Sequence, residues 1–276
     1  MHHRILSLLL VAFLTLVCSP DLIRGQSTDS LLYLVDNDLI EDDAEKYEIL
    51  CQVLTELYDA ESKIRYSDQA IELAEKLDIL PTLPYLMKGE GYLDSDYLAI
   101  DPDIVQNLAT ALECFIQAAS YAEKNDEIAY LGRAYLLMAE TYNSQGHLEN
   151  EQHYLQQAIE IFESEKDTFS LGFALHNLGY HNYSKGQYDM ALDIYTESLD
   201  LFQRSNHPYA GYAYYYCLGN MGLVYSELSD LPKAEEYLLA AIDTLTGYGD
   251  MRPVADFTNG YANVLMQKGE IERAIA

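Results

Sequence analysis

Residues 178–199 read LGYHNYSKGQYDMALDIYTESL. In this stretch Leu178-Gly179, Gly186, Tyr188, Ala191, Tyr195 and Leu199 carry a spacing that returns elsewhere in the chain. The next copy holds Met221-Gly222, Tyr225, Ser229, Leu231, Ala234, Leu238 and Ile242. The copy before it holds Ala139, Tyr142, Gly146, Leu148, Leu155 and Ala158, and the copy after it holds Tyr261-Ala262, Leu265, Gly269, Ile271 and Ala274. The turn positions 146, 186, 229 and 269 lie 40, 43 and 40 residues apart. Apolar residues at helical spacing, broken once by a small residue, predict a helix, a tight turn and a second helix in each copy. Gly after the first helix suits a left-handed cap. The small residue at 179 or 222, and the Ala at 191 or 234, allow close approach of the paired helices. Tyr188 and Ala191 are both expected in the core.

This pattern resembles the tetratricopeptide repeat (TPR) family, over most of residues 46–276. The family pattern is Leu-Gly-x-x-Tyr, then Gly-x-Tyr-x-x-Ala, an aromatic residue and a second Ala. HEAT-like pairs share the longer period but lack the Gly-x-Tyr-x-x-Ala turn. The resemblance implies an all-α fold, a right-handed superhelical solenoid of about six helix-turn-helix repeats, near 47–79, 82–125, 128–166, 168–206, 208–248 and 251–276. Two departures stand out. The period is about 40 rather than 34, and Glu151 occupies the place of the packing Ala in its copy. The last repeat stops at Ile275-Ala276, inside its second helix. A solenoid needs its last apolar face covered, so a longer parent chain is expected. In the second repeat about ten extra residues near Asp94 to Pro102 predict an acidic, solvated loop, whose Asp spacing does not match an EF-hand.

Residues 1–25 read as a signal peptide, followed by a leader over 26–45. A polar start at His2, His3 and Arg4 precedes a 14-residue apolar run from Ile5 to Cys18 broken only by Ser7 and Thr15. That run is too short for a comfortable span of about 20 residues. Cleavage before Gln26 and an exported, periplasmic location are expected. Composition agrees with a packed helical protein: 49% hydrophobic, 22% charged, 25 Tyr, no Trp and only 7 Pro in 276 residues. Sixteen Lys and Arg stand against 45 Asp and Glu, a net charge of −29. Such a surface repels phosphate backbones and anionic lipid, so nucleic acid is not an expected partner. A membrane would be met only through a span beyond residue 276.

Catalytic patterns are missing from the sequence. Gly89-Glu90-Gly91 lacks the third Gly and the preceding strand of a phosphate loop. His147, His153, His176, His181 and His207 contain no i, i+4 pair for a metal, and no G-x-S-x-G elbow occurs. Cys51, Cys114 and Cys217 form no C-x-x-C and read as buried thiols. No active site, metal or cofactor is expected within these residues. The binding candidates lie on the first helix of each repeat. Phe173, His176, Asn177, Tyr180 and Tyr183 share one helical stripe, flanked by a core-facing stripe of Leu175, Leu178, Gly179 and Asn182. Tyr216, Asn220, Leu223 and Glu227 form the matching stripe of the fifth repeat, and Asp256, Asn259 and Asn263 that of the sixth. Aromatic faces with amides suit an extended peptide, whose backbone needs donors and acceptors. Arg133 is the only basic residue on these stripes, which disfavours a carboxylate-clamp groove.

The signal peptide, the degenerate first repeat with Ala70-Ile71-Glu72-Leu73-Ala74 and the 40-residue copies resemble the extracytoplasmic TPR region of bacterial class III adenylate/guanylate cyclases. Tyr85-Leu86-Met87-Lys88-Gly89, residues 218–225 (LGNMGLVY) and residues 234–242 (AEEYLLAAI) carry that resemblance. TPR sensor histidine kinases carry similar arrays. The implied function is non-catalytic: a protein-interaction or sensory region of a membrane signalling protein, with a free periplasmic adaptor as the alternative.

Overall fold

The computed structural model describes residues 27–96, 104–249 and 251–275. The signal-peptide run and most of the acidic loop near Asp94 to Pro102 lie outside them. Thirteen α-helices and no strand occur among the described residues, as the repeat pattern requires. They are α1 (Thr28–Asp36), α2 (Asp43–Leu54), α3 (Ala60–Leu77), α4 (Thr82–Asp96), α5 (Ile104–Asn125), α6 (Ile128–Ser144), α7 (Leu148–Glu165), α8 (Thr168–Ser184), α9 (Tyr188–Arg204), α10 (Ala210–Glu227), α11 (Leu231–Tyr248), α12 (Met251–Gln267) and α13 (Ile271–Ile275). The helices of the three central pairs, α6 to α11, run 17 or 18 residues each, and this extra length carries the long period.

The chain forms two compact units, one up to Ala134 and one from Tyr135. In the first, α1 lies in the stretch assigned to a leader. Its Leu31, Leu34 and Val35 are buried with Ile49, Leu50 and Val53 of α2 and Tyr66, Ala70 and Leu73 of α3. Phe115 of α5 packs its ring directly against Gly89 of α4, where a Cβ would come within 2.4 Å of the ring. A partly desolvated ion network crosses the same unit. Lys63 is buried and pairs with Asp94 at 2.8 Å and Glu90 at 3.5 Å, and Glu90 also binds Arg133.

In the second unit the pairs α8/α9 and α10/α11 are built alike. Tyr195 of α9 is fully buried with its ring over Gly179 of α8, and Leu238 of α11 sits over Gly222 of α10. Ala191 and Ala234 are fully buried where each pair closes. Tyr188 departs from the core expectation. It is half-buried, its ring 6.0 Å from Tyr183, and Tyr195 is the ring that fills the core.

The turn inside each repeat is one motif used four times. Gly186 N–H donates to Tyr183 C=O at 2.9 Å and Gln187 N–H to Asn182 C=O at 2.9 Å, with Gly186 at φ +71°. The same two bonds recur at Gly146, Ser229 and Gly269. They satisfy carbonyls that the helix end leaves open. Asp42, Asp59, Asp167 and Asp230 each accept a backbone N–H at the start of the following helix, which fixes where α2, α3, α8 and α11 begin.

Candidate functional site

The first helices α8, α10 and α12 of the second unit carry all nine candidate residues, and the structure sorts them into two groups. The first group is structural. His176 is 4% exposed and Asn220 6%. Asn220 Nδ2 donates to His176 Nε2 at 2.7 Å, His176 Nδ1 lies 3.1 Å from Asn177 Oδ1, and Asn177 Nδ2 donates to Glu140 Oε1 at 2.8 Å. This chain of bonds ties three successive first helices together. It also fixes the imidazole as neutral with its proton on Nδ1, because Nε2 must accept. Burial agrees, pushing the His176 pKa down to about 4. Phe173 is half-buried among Phe169, His176 and Phe202, and Tyr216 lies 4.9 Å from the His176 ring. His176 and Asn220 are therefore not open groove residues. Helical period placed them on the right helix, but it does not register the neighbouring helix packed over that arc.

The second group meets at one cavity. Tyr183 from α8, Leu223, Ser226 and Glu227 from α10, and Asp256, Asn259, Gly260, Asn263, Met266 and Gln267 from α12 line a space of about 400 Å³. Tyr183, Asn259 and Asn263 are groove residues that the helical stripes predict, and Leu223, Glu227 and Asp256 belong to the same stripes. Ser226, Gly260, Met266 and Gln267 lie outside the predicted stripes. Gly260 has a physical signature that single-sequence reading lacks: Leu223 sits over it so closely that a Cβ would meet Leu223 Cδ2 at 2.4 Å. Tyr180 borders this region, 39% exposed, with its ring 6.1 Å from Tyr183. Burial, and after it the Glu227 carboxylate, raises the Tyr183 phenol above its ordinary pKa.

Glu151, the departure from the packing Ala, is buried and satisfied. Its Oε1 accepts from Asn143 Nδ2 at 2.8 Å and its Oε2 from His181 Nδ1 at 2.8 Å. The third repeat thus supplies one partner, Asn143, and the fourth repeat the other, His181. The cysteines are free thiols. Cys114 and Cys217 are buried, and burial pushes them up to about 11 and about 12, while Cys51 is half-buried. Thiols held this far above neutrality are poor nucleophiles. No cluster of metal-binding side chains occurs among the described residues, and none of their helices is long and apolar enough to cross a membrane.

Tetratricopeptide repeat models match residues 132–165 and 170–247. No curated protein matches the chain in sequence. Among solved structures, aspartyl phosphate phosphatase F from Bacillus subtilis has a TM-score of 0.66 at 18% identity, covering 89% of this chain and 65% of its own. BtubC from P. vanneervenii has a TM-score of 0.59 at 17% identity, covering 79% of this chain and 87% of its own. NprR, solved with its cognate peptide NprX, has a TM-score of 0.55 at 17% identity, covering 90% of this chain and 62% of its own. The chain thus spans less than two thirds of the phosphatase and of NprR. At these identities the likeness is one of fold. Sequence models and fold agree on the central segments: residues 132–165 and 170–247 match tetratricopeptide repeat models, within a TPR-like fold that is helical and without strands among the described residues.

Proposed function

We propose that this chain is a non-catalytic interaction region that captures an extended peptide or protein segment on the face of α8, α10 and α12. The observation that carries the reading is the cavity where Tyr183, Leu223, Glu227, Asp256, Asn259 and Asn263 converge from three successive first helices. Its side chains offer an aromatic wall, an apolar floor and amides able to donate and accept, which is what a peptide in extended conformation needs. NprR is a TPR-like neighbour solved with a peptide bound, which supports the reading by analogy of fold.

The sequence supports a wider setting. With its Ile5–Cys18 run, the chain is proposed to be exported and to form the extracytoplasmic, sensory part of a membrane signalling protein resembling TPR-linked adenylate/guanylate cyclases or TPR histidine kinases. A free periplasmic adaptor is the alternative. Intact mass of the chain exported from a bacterial host is expected to give a start at or near Gln26. Recovery of soluble exported protein beginning at Met1 would contradict export with cleavage.

The binding reading is tested with Tyr180→Ala and Tyr183→Ala in the full chain, against peptides selected on it from a random displayed library. Loss of an aromatic anchor typically weakens binding by more than about 1 kcal/mol. Tyr180 is exposed, so its replacement should alter stability by no more than about 0.5 kcal/mol. A thermal melt separates the two effects. Selected peptides that bind both variants as well as the parent chain would remove this face as the site.

A further inference from the structure

The cavity between α10 and α12 is not chemically neutral, and its lining distinguishes among peptides. Two carboxylates, Glu227 and Asp256, stand at it, together with the amides of Asn259, Asn263 and Gln267. No lysine or arginine lines it. The chain around it carries a net charge of −29, which repels anionic partners and draws cationic ones at longer range. Gln267 donates one N–H of its Nε2 to Ser226 Oγ at 3.4 Å, and its amide oxygen can accept from a ligand donor. One wall is the Tyr183 ring and two others are the apolar side chains of Leu223 and Met266.

These features fit one kind of side chain. Carboxylates and amide oxygens are acceptors, and they approach the cavity from two different helices. A guanidinium presents five N–H donors in one plane and stacks on aromatic rings. An ammonium concentrates its charge on a point and is more strongly hydrated. The aliphatic stem of a basic residue buries well along apolar neighbours while its head reaches polar groups. Leu223 and Met266 offer that track, and Tyr183 offers a ring face for the cation.

We infer that this cavity is the specificity pocket for an arginine side chain of the captured peptide. The assignment rests on the peptide-capture reading above and adds what the peptide must contain. Affinity for arginine-bearing peptides should fall with added salt, because the charges involved are solvent-accessible.

The experiment uses the full 276-residue chain and a random displayed dodecapeptide library. The peptides recovered are resynthesised with each arginine replaced by citrulline, an uncharged isostere, or by lysine. Enrichment of arginine is expected, with about a tenfold weaker Kd for citrulline at one position, the effect of about 1.4 kcal/mol. Glu227→Gln combined with Asp256→Asn should weaken the arginine peptide about tenfold. It should change the citrulline peptide less than about twofold, as a coupled pair requires. Both residues are exposed, so the melting curve of the double variant should match the parent and report folding.

Other outcomes fall cleanly on one side. Peptides that lose affinity with Tyr183→Ala but ignore citrulline and the carboxylate changes would overturn the arginine pocket while leaving peptide capture in place. Lysine, or a free amino terminus, replacing arginine within about twofold would also overturn it. Peptides whose binding ignores Tyr183→Ala, Tyr180→Ala and the carboxylate changes alike would remove the face itself, and the pocket with it.

Discussion

The place where the second helix of one repeat meets the first helix of the next is filled in two chemically opposite ways. Ala191 and Val224 are fully buried in one apolar cluster, and Ala234 and Val264 are fully buried in another. One repeat earlier the aligned positions hold Glu151 and His181, equally buried, joined by a 2.8 Å hydrogen bond. The backbone motif is unchanged, since the turn before Glu151 has the same pair of bonds as the turn before Ala191. Repeat geometry therefore fixes where the slot is, and the satisfaction of the Glu151 carboxyl decides what fills it here, with His181 Nε2 left buried and without a hydrogen-bond partner. An apolar pair gains from burial. A polar pair is tolerated because Asn143 and His181 together occupy both oxygens of the Glu151 carboxyl. Each partner in such a pair is costly alone and cheap in company.

That comparison breaks first at His181. His181→Val copies the Val224 and Val264 positions but leaves the Glu151 carboxyl buried with Asn143 as its remaining partner. Removing one member of a buried pair costs about 3–5 kcal/mol. Glu151→Ala together with His181→Val rebuilds the apolar slot of the neighbouring repeats. Replacing both members by apolar groups is often neutral or stabilising, so the double variant should recover most or all of the loss. Urea unfolding of the two variants measures this directly. A double variant as unstable as His181→Val would mean that the slot has a different shape in the third repeat.

His176 sharpens the same contrast through pH. Its pKa falls from an ordinary 6.5 to about 4 in the folded chain, because burial disfavours the cation and Nε2 must accept from Asn220. The unfolded chain therefore binds a proton that the folded chain refuses as pH drops below 6.5. Stability from this group is complete above about pH 6.5 and is lost progressively toward pH 4. The full loss is about 3 kcal/mol, at 1.36 kcal/mol per unit. Nearby groups bearing on this are Asn177, Asn220 and, through Asn177, Glu140. Melting temperatures of the parent chain and His176→Gln, taken between pH 7.5 and 4.5, isolate the contribution by difference. Parallel curves would show that His176 titrates normally.

Much of this was legible in the residues themselves. Gly179, Ala191 and Gly186 announce a close helix pair with a left-handed turn because few other residues fit those positions, and the structure puts each to that use. What remained hidden depended on a second element. Period alone assigns Phe173, His176, Asn177, Tyr180 and Tyr183 to one stripe, but α10 covers part of that arc, burying His176 and leaving Tyr180 open. Glu151 departs from the repeat pattern with a reason the pattern does not carry, because one of its two partners, His181, lies 30 residues away on another repeat. Helix α1 carries no copy of the repeat pattern, so only its contacts with α2 and α3 reveal it.

The smallest contrast between repeats lies at the turns. Gly146, Gly186 and Gly269 adopt φ of +75°, +71° and +79°, and Ser229 holds the aligned place at φ +60°. The hydrogen bonds are alike: Ser229 N–H donates to Ser226 C=O at 3.1 Å and Asp230 N–H to Tyr225 C=O at 2.9 Å. A left-handed L-residue costs about 1–2 kcal/mol against the right-handed form, and Gly avoids that cost. Gly also gives the unfolded chain more freedom, which offsets about 0.5–1 kcal/mol of the gain. The difference favours Ser229→Gly by about 0.5 kcal/mol, or about 1–2 °C in Tm for a chain of this size. Gly186→Ser should show the opposite sign and similar size, since a Cβ at 186 meets nothing within 4 Å and only backbone strain acts. Scanning calorimetry of both variants resolves such shifts. If Ser229→Gly lowered Tm while Gly186→Ser also lowered it, the serine hydroxyl would be contributing to its own turn, and the four turns would be alike in backbone but not in what stabilises them.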